Sequence, residues 1–364
     1  MPTLDEQRQQ AALAWLASGC ELSIGDASRL PCPPEALAAL TPSSTGVHRH
    51  VASGLTGDVY ELRLHGQHLA VKVARTESRV RNLDGETAFV NELLRHQELA
   101  TARDAGAALP GILHAHYGSL RHRLLVTPWV DGGPPDLSDA RVLRQLFNTG
   151  VHLHLAGHFE WDWSPGNLLD DGQQVWLFDF GYQYRFDPLT QFNSAGDGLS
   201  CPQHHLVERL GARCVFAALL DTETTWGLAA AVAQFTQFQA LGLAAMQLLH
   251  AQLAQRGAQA KPLQTLQDWR SKAGTALACD PATAYRCEGW VAHLTDVLDD
   301  LHGQSCDPRT LQRLDWLQQV LHQHAAALQA AGLLNQPPSA MQAQLLQYQA
   351  QAQQWQLAPG GSAR

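Results

Sequence analysis

The sequence has no C-x-x-C pair, no run of five basic residues and no uninterrupted apolar stretch of eighteen residues. Each absence excludes something. The seven cysteines (Cys20, Cys32, Cys201, Cys214, Cys279, Cys287 and Cys306) are scattered and odd in number, which reads as reduced thiols of a cytoplasmic protein and argues against a zinc site. A net charge of −9 without a basic tract argues against a nucleic-acid footprint and against a polybasic membrane anchor. The missing apolar run implies no membrane span, and residues 1–19 are charged and amphipathic with no signal core. Histidine is plentiful, at eighteen, but it follows a Gln/His/Leu/Ala-rich composition and not a ligand spacing. The adjacent His204 and His205 cannot easily face one metal. No internal repeat is visible. What is present is a globular composition, 45% apolar, over 364 residues, enough for two units each with its own core.

The chain changes texture along its length. Residues 3 to about 18 read as an amphipathic helix, with Leu4, Ala11, Ala12, Trp15 and Leu16 available to one face. Residues 30–46, rich in Pro, Ser and Thr, read as a linker. From His48 the alternation of apolar and polar residues, punctuated by Gly54, Gly57 and Gly66, predicts three strands joined by tight turns. Phe89, Val90, Leu93 and Leu94 mark a helix over 85–99, and two short strands are expected at 112–118 and 122–127. Leu143, Leu146, Phe147, Gly150, Val151 and His154 then form one helical stripe. Beyond about residue 205 nearly everything reads as helix. Leu314, Leu317, Leu321 and Leu328 fall near a heptad seam, interrupted by Pro337 and Pro338. A hairpin packed on the same chain is the first reading of that seam, and a coiled-coil partner surface the second. A small β-rich half thus precedes a larger α-rich half.

Several residues in this frame carry chemistry. Gly54 and Gly57 bracket a two-residue tip between strands, where backbone N–H groups can approach phosphate oxygens without an intervening Cβ. Lys72 stands in the apolar strand "LAVKVA" on the face of Ala70 and Ala74, opposite Val71 and Val73. Glu86 opens the following helix, where a Lys–Glu pair across a cleft would fix the lysine as a phosphate clamp. "DWSPGN" sets Asp162 and Asn167 around Pro165-Gly166, and Asp179 ends the strand "QVWLF" ahead of Phe180-Gly181. A carboxylate and an amide oxygen can reach a divalent cation together, leaving a second carboxylate to take a proton from an attacking hydroxyl. Taken singly, these are the residues of ordinary turns. Their fixed order along the chain is what gives them weight.

In that order they resemble the protein-kinase family, which implies an α+β, two-lobe kinase-like fold with a helical C-terminal extension. "ASGLTGDV" is similar to the glycine loop, with Ala52 for its first glycine, then Gly54, Gly57 and Val59. "LAVKV" resembles the strand-lysine motif, "ETAFVNEL" the helix with its glutamate, "DWSPGNLL" the catalytic loop and "LFDFG" the metal-binding turn. The resemblance covers about residues 47–220. It thins beyond that and does not cover the N-terminal helix or the last fifty-odd residues; taken with the changes of texture it gives an N-terminal helix and linker at 1–46, a small lobe at 47–131, a helical lobe at 132–305 and a helical extension at 306–364. It also implies ATP and Mg²⁺ in the interlobe cleft. Lys72 would hold the phosphates with Glu86 as its partner, and Asn167 and Asp179 would hold the metal. Asp162 would take the acceptor proton. Gly54, Gly57, Val59, Ala70, Thr127, Trp129 and Val130 would surround the nucleotide, with Thr127 as gatekeeper.

The departures bear on the acceptor. Glu160-Trp161-Asp162 replaces His-Arg-Asp, so no arginine precedes Asp162 to gather a phosphorylated loop. Activity independent of modification at Thr190, Ser194 or nearby hydroxyls is therefore expected. Ser164 stands where a lysine would meet the γ-phosphate, and no Ala-Pro-Glu motif follows. The acceptor is a hydroxyl, read first as Ser, Thr or Tyr of a protein. The alternatives are a sugar-, aminoglycoside- or choline-like small molecule, and a nucleotide-binding scaffold without turnover.

Overall fold

The computed structural model describes residues 3–51 and 56–356. Its first part runs α1 (Leu4–Ser18), β1 (Ser23–Gly25), α2 (Pro34–Ala38), β2 (Val47–Val51), β3 (Gly57–Leu64), β4 (Gln67–Ala74), α3 (Leu83–Asp104), β5 (Tyr117–Ser119) and β6 (Leu124–Pro128). The strands form one six-stranded antiparallel sheet in the order β1-β5-β6-β4-β3-β2. Alternation along β4 buries Leu69 and Val71 on one face with Tyr60, Leu62, Tyr117, Leu124 and Val126. Ala70 and Lys72 are left half-buried on the other. Two features depart from the sequence reading. The segment read as a linker carries α2, whose Leu37 is fully buried against that same apolar face. A sixth strand, β1, is only three residues long, too short for alternation to reveal it. Its Gly25 has φ +71°, and a Cβ there would come 1.9 Å from the His116 carbonyl oxygen, so only glycine lets this edge close.

The second part runs α4 (Ala140–Leu155), β7 (His158–Glu160), β8 (Leu168–Asp170), β9 (Val175–Leu177) and β10 (Gln183–Arg185). It continues with α5 (Leu206–Leu210), α6 (Phe216–Trp226), α7 (Leu228–Gln255), α8 (Ala260–Cys279), α9 (Pro281–Gly303), α10 (Pro308–Ala330) and α11 (Pro338–Gln354). The short strands pair as β7 with β10 and β8 with β9. A π-helical turn, Gly211–Val215, separates α5 from α6. The apolar stripe of α4 enters a single large core with Phe216, Phe235, Phe238 and Trp290. Leu314, Leu317, Leu321 and Leu328 are buried in that core too, so the C-terminal hairpin packs on its own chain and the leucine seam has no free face. By length and composition α7 is apolar enough to cross a membrane, yet its Phe235, Phe238, Met246, Leu249 and Leu253 line the same core.

Helix α1 begins at a reciprocal Thr3–Glu6 capping box and folds back across the molecule. The Leu4 amide donates to the Gly196 carbonyl at 2.6 Å, and the Gly196 amide donates to Asp5 at 3.0 Å. The Arg8 guanidinium lies 3.8 Å over the Tyr184 ring and also reaches Asp84 on α3. The start of the chain therefore bridges α3 and the segment after β10.

If α10 belongs to the main core, truncating it weakens the whole molecule. Leu317→Ala should cost about 2–5 kcal/mol in urea unfolding, within a single transition shared with the other helices. A separate early transition confined to the C-terminal helices would contradict this.

Candidate functional site

The sheet, α3 and the β9–β10 connection meet at one ammonium group. Lys72 Nζ donates to Glu92 Oε2 at 2.8 Å and to Asp179 Oδ2 at 2.7 Å. Burial alone would pull its pKa down, but the Asp179 and Glu92 carboxylates outweigh that and hold the amine above its usual range. The partner from α3 is therefore Glu92, not the expected Glu86, which is exposed in the first turn. Helix α3 is buried on two faces, and this explains the difference. Val90 and Leu93 pack with Ile24 and Leu125, and this apolar face is the one that periodicity detects. The second face carries Ala88, Glu92, Arg95, His96 and Leu99, spaced by a helical turn and mostly polar, so it leaves no hydrophobic signal.

That polar face anchors the Asp179-Phe180-Gly181 turn. Asn91 Nδ2 donates to the carbonyls of Phe180, Gly181 and Gln183 at 3.3, 2.8 and 3.0 Å. Phe180 is fully buried, with the His96 ring edge-on at 4.8 Å. Burial lowers the His96 pKa to about 3, so this histidine is a neutral packing group. Asp179 adopts φ +65°, a left-handed conformation that aspartate tolerates better than most residues. Its carboxylate is thereby presented to Lys72.

On the other side of the site, Asn167 Nδ2 donates to the Asp162 carbonyl at 3.1 Å and to Asp162 Oδ2 at 3.0 Å. The Phe178 amide donates to the Asn167 carbonyl at 3.0 Å, tying this loop to the Asp179 turn. With its amide nitrogen used, Asn167 keeps Oδ1 free of hydrogen-bond donors among the described residues. Asp162 Oδ1 accepts from Arg213 Nε at 3.2 Å, from the π-helical turn. Neither Arg213 nor the turn that carries it was signalled by the sequence motifs. The two residues ahead of Asp162 hold the loop. Glu160 Oε1 accepts the Asp162 amide at 2.8 Å and Oε2 accepts from Gln183 at 3.2 Å. The Trp161 carbonyl accepts from Arg209 at 3.1 and 2.8 Å, and its indole donates to Ser194 Oγ at 2.8 Å.

The remaining expected residues lie along the same strands. Val59 pairs with Lys72 and Ala70 pairs with Thr127, which puts each pair on one side of the sheet. Gly57 stands opposite Ala74. Gly54, at the tip of the expected glycine loop, lies outside the described residues, as does Leu55. The Trp129 amide donates to the His68 carbonyl at 3.1 Å, so it is not available to a ligand. Its indole turns to Asp131 and stacks on His68. The Val130 amide has no hydrogen-bond partner among the described residues. A surface cavity of about 500 Å³ between the end of α4, the Arg185–Leu189 segment and Arg256 contains none of these residues.

No family model and no curated protein matches the sequence. Among solved structures the chain is similar to vaccinia related kinase 3, at 14% identity over 68% of this chain and 98% of that one, with a TM-score of 0.34.

The site carries its own pH signature. Burial pushes Glu160 up to about 8, against its hydrogen bond from the Asp162 amide, whereas the unfolded carboxyl ionises near 4.5. Between those values the folded state keeps a proton that the unfolded state has lost, so stability falls as pH rises through the window, by at most about 1.4 kcal/mol per pH unit. Glu160→Gln is neutral throughout, and its amide oxygen can still accept the Asp162 N–H. Its stability in urea should gain on the wild type steadily from pH 5 to pH 8. A constant gap across that range would count against a protonated Glu160.

Proposed function

We propose that the protein is an ATP- and Mg²⁺-dependent phosphotransferase with a two-lobe, kinase-like fold, moving the γ-phosphate of ATP to a hydroxyl. The observation that carries this reading is Lys72, held at 2.8 and 2.7 Å between Glu92 and Asp179. A buried lysine with two carboxylates is costly to assemble for stability alone. It makes sense as a preformed clamp for phosphate oxygens.

The donor set fits a small hard cation. Asn167 Oδ1 and Asp179 are oxygen ligands, few in number, as suits an ion that keeps water and draws its other ligands from a triphosphate. Bound there, Mg²⁺ would supply charge neutralisation at the phosphates. Lys72 binds the phosphate oxygens, and Glu92 keeps its ammonium in place. Asp162, oriented by Asn167, receives the acceptor proton. Thr127, Ala70 and Val59 border the base, and the Val130 amide, being unpaired, is the backbone group left to recognise it. A protein Ser, Thr or Tyr is the first acceptor class to assay, and small-molecule alcohols the second.

Radiolabelled ATP with Mg²⁺ tests the reading against water, protein and metabolite acceptors. Asp162→Asn should lower turnover about 10²–10⁴-fold while leaving ATP·Mg²⁺ affinity in place. Asp179→Ala should lose Mg²⁺-dependent binding. Glu92→Gln should impair turnover, and Glu86→Ala should be silent. Tight ATP·Mg²⁺ binding by the wild type with no transfer to any acceptor would replace the phosphotransferase with a nucleotide-binding scaffold.

A further inference from the structure

Transfer of a phosphoryl group gathers negative charge on its three peripheral oxygens, and cations placed beforehand at those oxygens lower the barrier. On the reading above, Lys72 serves the ATP phosphates while Glu92 and Asp179 share two of its donors. The loop from Asp162 to Asn167 contains no lysine or arginine, and Ser164 stands where a loop cation is expected. A cation nevertheless reaches this loop from fifty-one residues further along the chain.

Arg213 comes from the π-helical turn Gly211–Val215, whose extra residue per turn shifts side chains off the regular helical stripe. Its three nitrogens have different surroundings. Nε donates to Asp162 Oδ1 at 3.2 Å, and Nη1 donates to Asp296 on α9. Nη2 has no hydrogen-bond partner among the described residues, and the side chain is about 20% exposed. Asp296 is almost completely buried and is also held by Arg313 of α10. Asp296, held between two guanidinium groups, and Asp162 together fix Arg213 in place. Burial opposes the charged form of Arg213, but Asp162, Asp300 and Asp299 outweigh it, and the guanidinium stays protonated.

We propose that Arg213 is the cation of the catalytic loop, with Nε fixed on Asp162, Nη2 left to donate to the phosphoryl group in transfer, and Asp296 and Arg313 holding it in place. This rests on the phosphotransferase reading. In the step itself, the acceptor oxygen bonds to the γ-phosphorus as the bond from that phosphorus to the β–γ bridging oxygen breaks. The electron pair leaves with ADP, and the acceptor proton passes to Asp162. Arg213 meets the charge that develops in between. The C-terminal helices are then part of the site: α9 and α10 supply the residues that position its second cation.

Steady-state ATP hydrolysis with Mg²⁺, water being the acceptor, tests this with Arg213→Gln and Arg213→Lys in the full chain. The glutamine keeps hydrogen-bond donors without charge, and Asp296 still has Arg313, so folding is checked by thermal melting alongside. Arg213→Gln should lower kcat about a thousandfold, with KM for ATP unchanged, and Arg213→Lys should recover part of the loss. An unchanged kcat in the glutamine variant overturns the proposal, and so does an equal loss in both variants, which would mark a purely structural ion pair. If Arg213→Gln does not fold, Arg213→Lys is compared with wild type for the tightening of ADP·Mg²⁺ by aluminium fluoride. A loss of about tenfold in that tightening is expected, and equal tightening overturns the role. Wild-type protein that neither binds nor hydrolyses ATP would remove the phosphotransferase reading itself. Wild-type hydrolysis matched by Arg213→Gln removes only the role of Arg213.

Discussion

One ammonium group, shared by two carboxylates, determines how the parts of this protein meet. Lys72 comes from β4 of the sheet, Glu92 from α3 and Asp179 from the turn between β9 and β10. An unpaired lysine at that depth would lose its proton or draw in water. An unpaired Glu92, nearly inaccessible to solvent, would fare no better. Each element is therefore placed by the need of the others for a counter-charge. The left-handed backbone of Asp179, the three carbonyls gathered by Asn91 and the buried Phe180 ring all serve to keep one carboxylate within reach of that lysine.

A second ionic assembly stands on the far side of the same site and reaches deeper. Asp162, Arg213, Asp296 and Arg313 alternate in charge from the Asp162–Asn167 loop to the C-terminal hairpin. Buried ion pairs of this kind add little to stability compared with well-packed apolar side chains, but removing one member strands the rest. The hairpin is thus joined to the loop by charge as well as to the core by leucines. Glu160 contrasts with these pairs: among the described residues it has no cationic partner, and burial raises its pKa so that it keeps its proton.

Much of this was legible in the sequence, because much of it is written in apolar period and turn chemistry. The alternation around Lys72 placed β2 to β4, and the leucine seam of α10 correctly implied a hairpin folded on its own chain. What escaped was written in polar residues or in very short ones. Glu92 lies on a buried face that is polar, so hydrophobic periodicity ran along the other face and favoured Glu86. Helix α2 was masked by the prolines around it, although a proline in the first turn is a normal way to begin a helix. Arg213 was invisible because a π-helical turn has no composition of its own, and because its partner lies fifty-one residues away.

The anchoring of α1 has a consequence for how the molecule is assembled over time. The Asp5 carboxylate and the Gly196 amide that bind each other are 191 residues apart, so α1 precedes its docking place by more than half of the described chain. Contacts that close so long a loop form slowly, after local helices and hairpins are in place. During synthesis α1 has left the ribosome long before Gly196 exists, so it can meet α3 first and complete its anchor only once the chain has passed β10. The closing of that last contact is a late step that reports on the folding of what lies between.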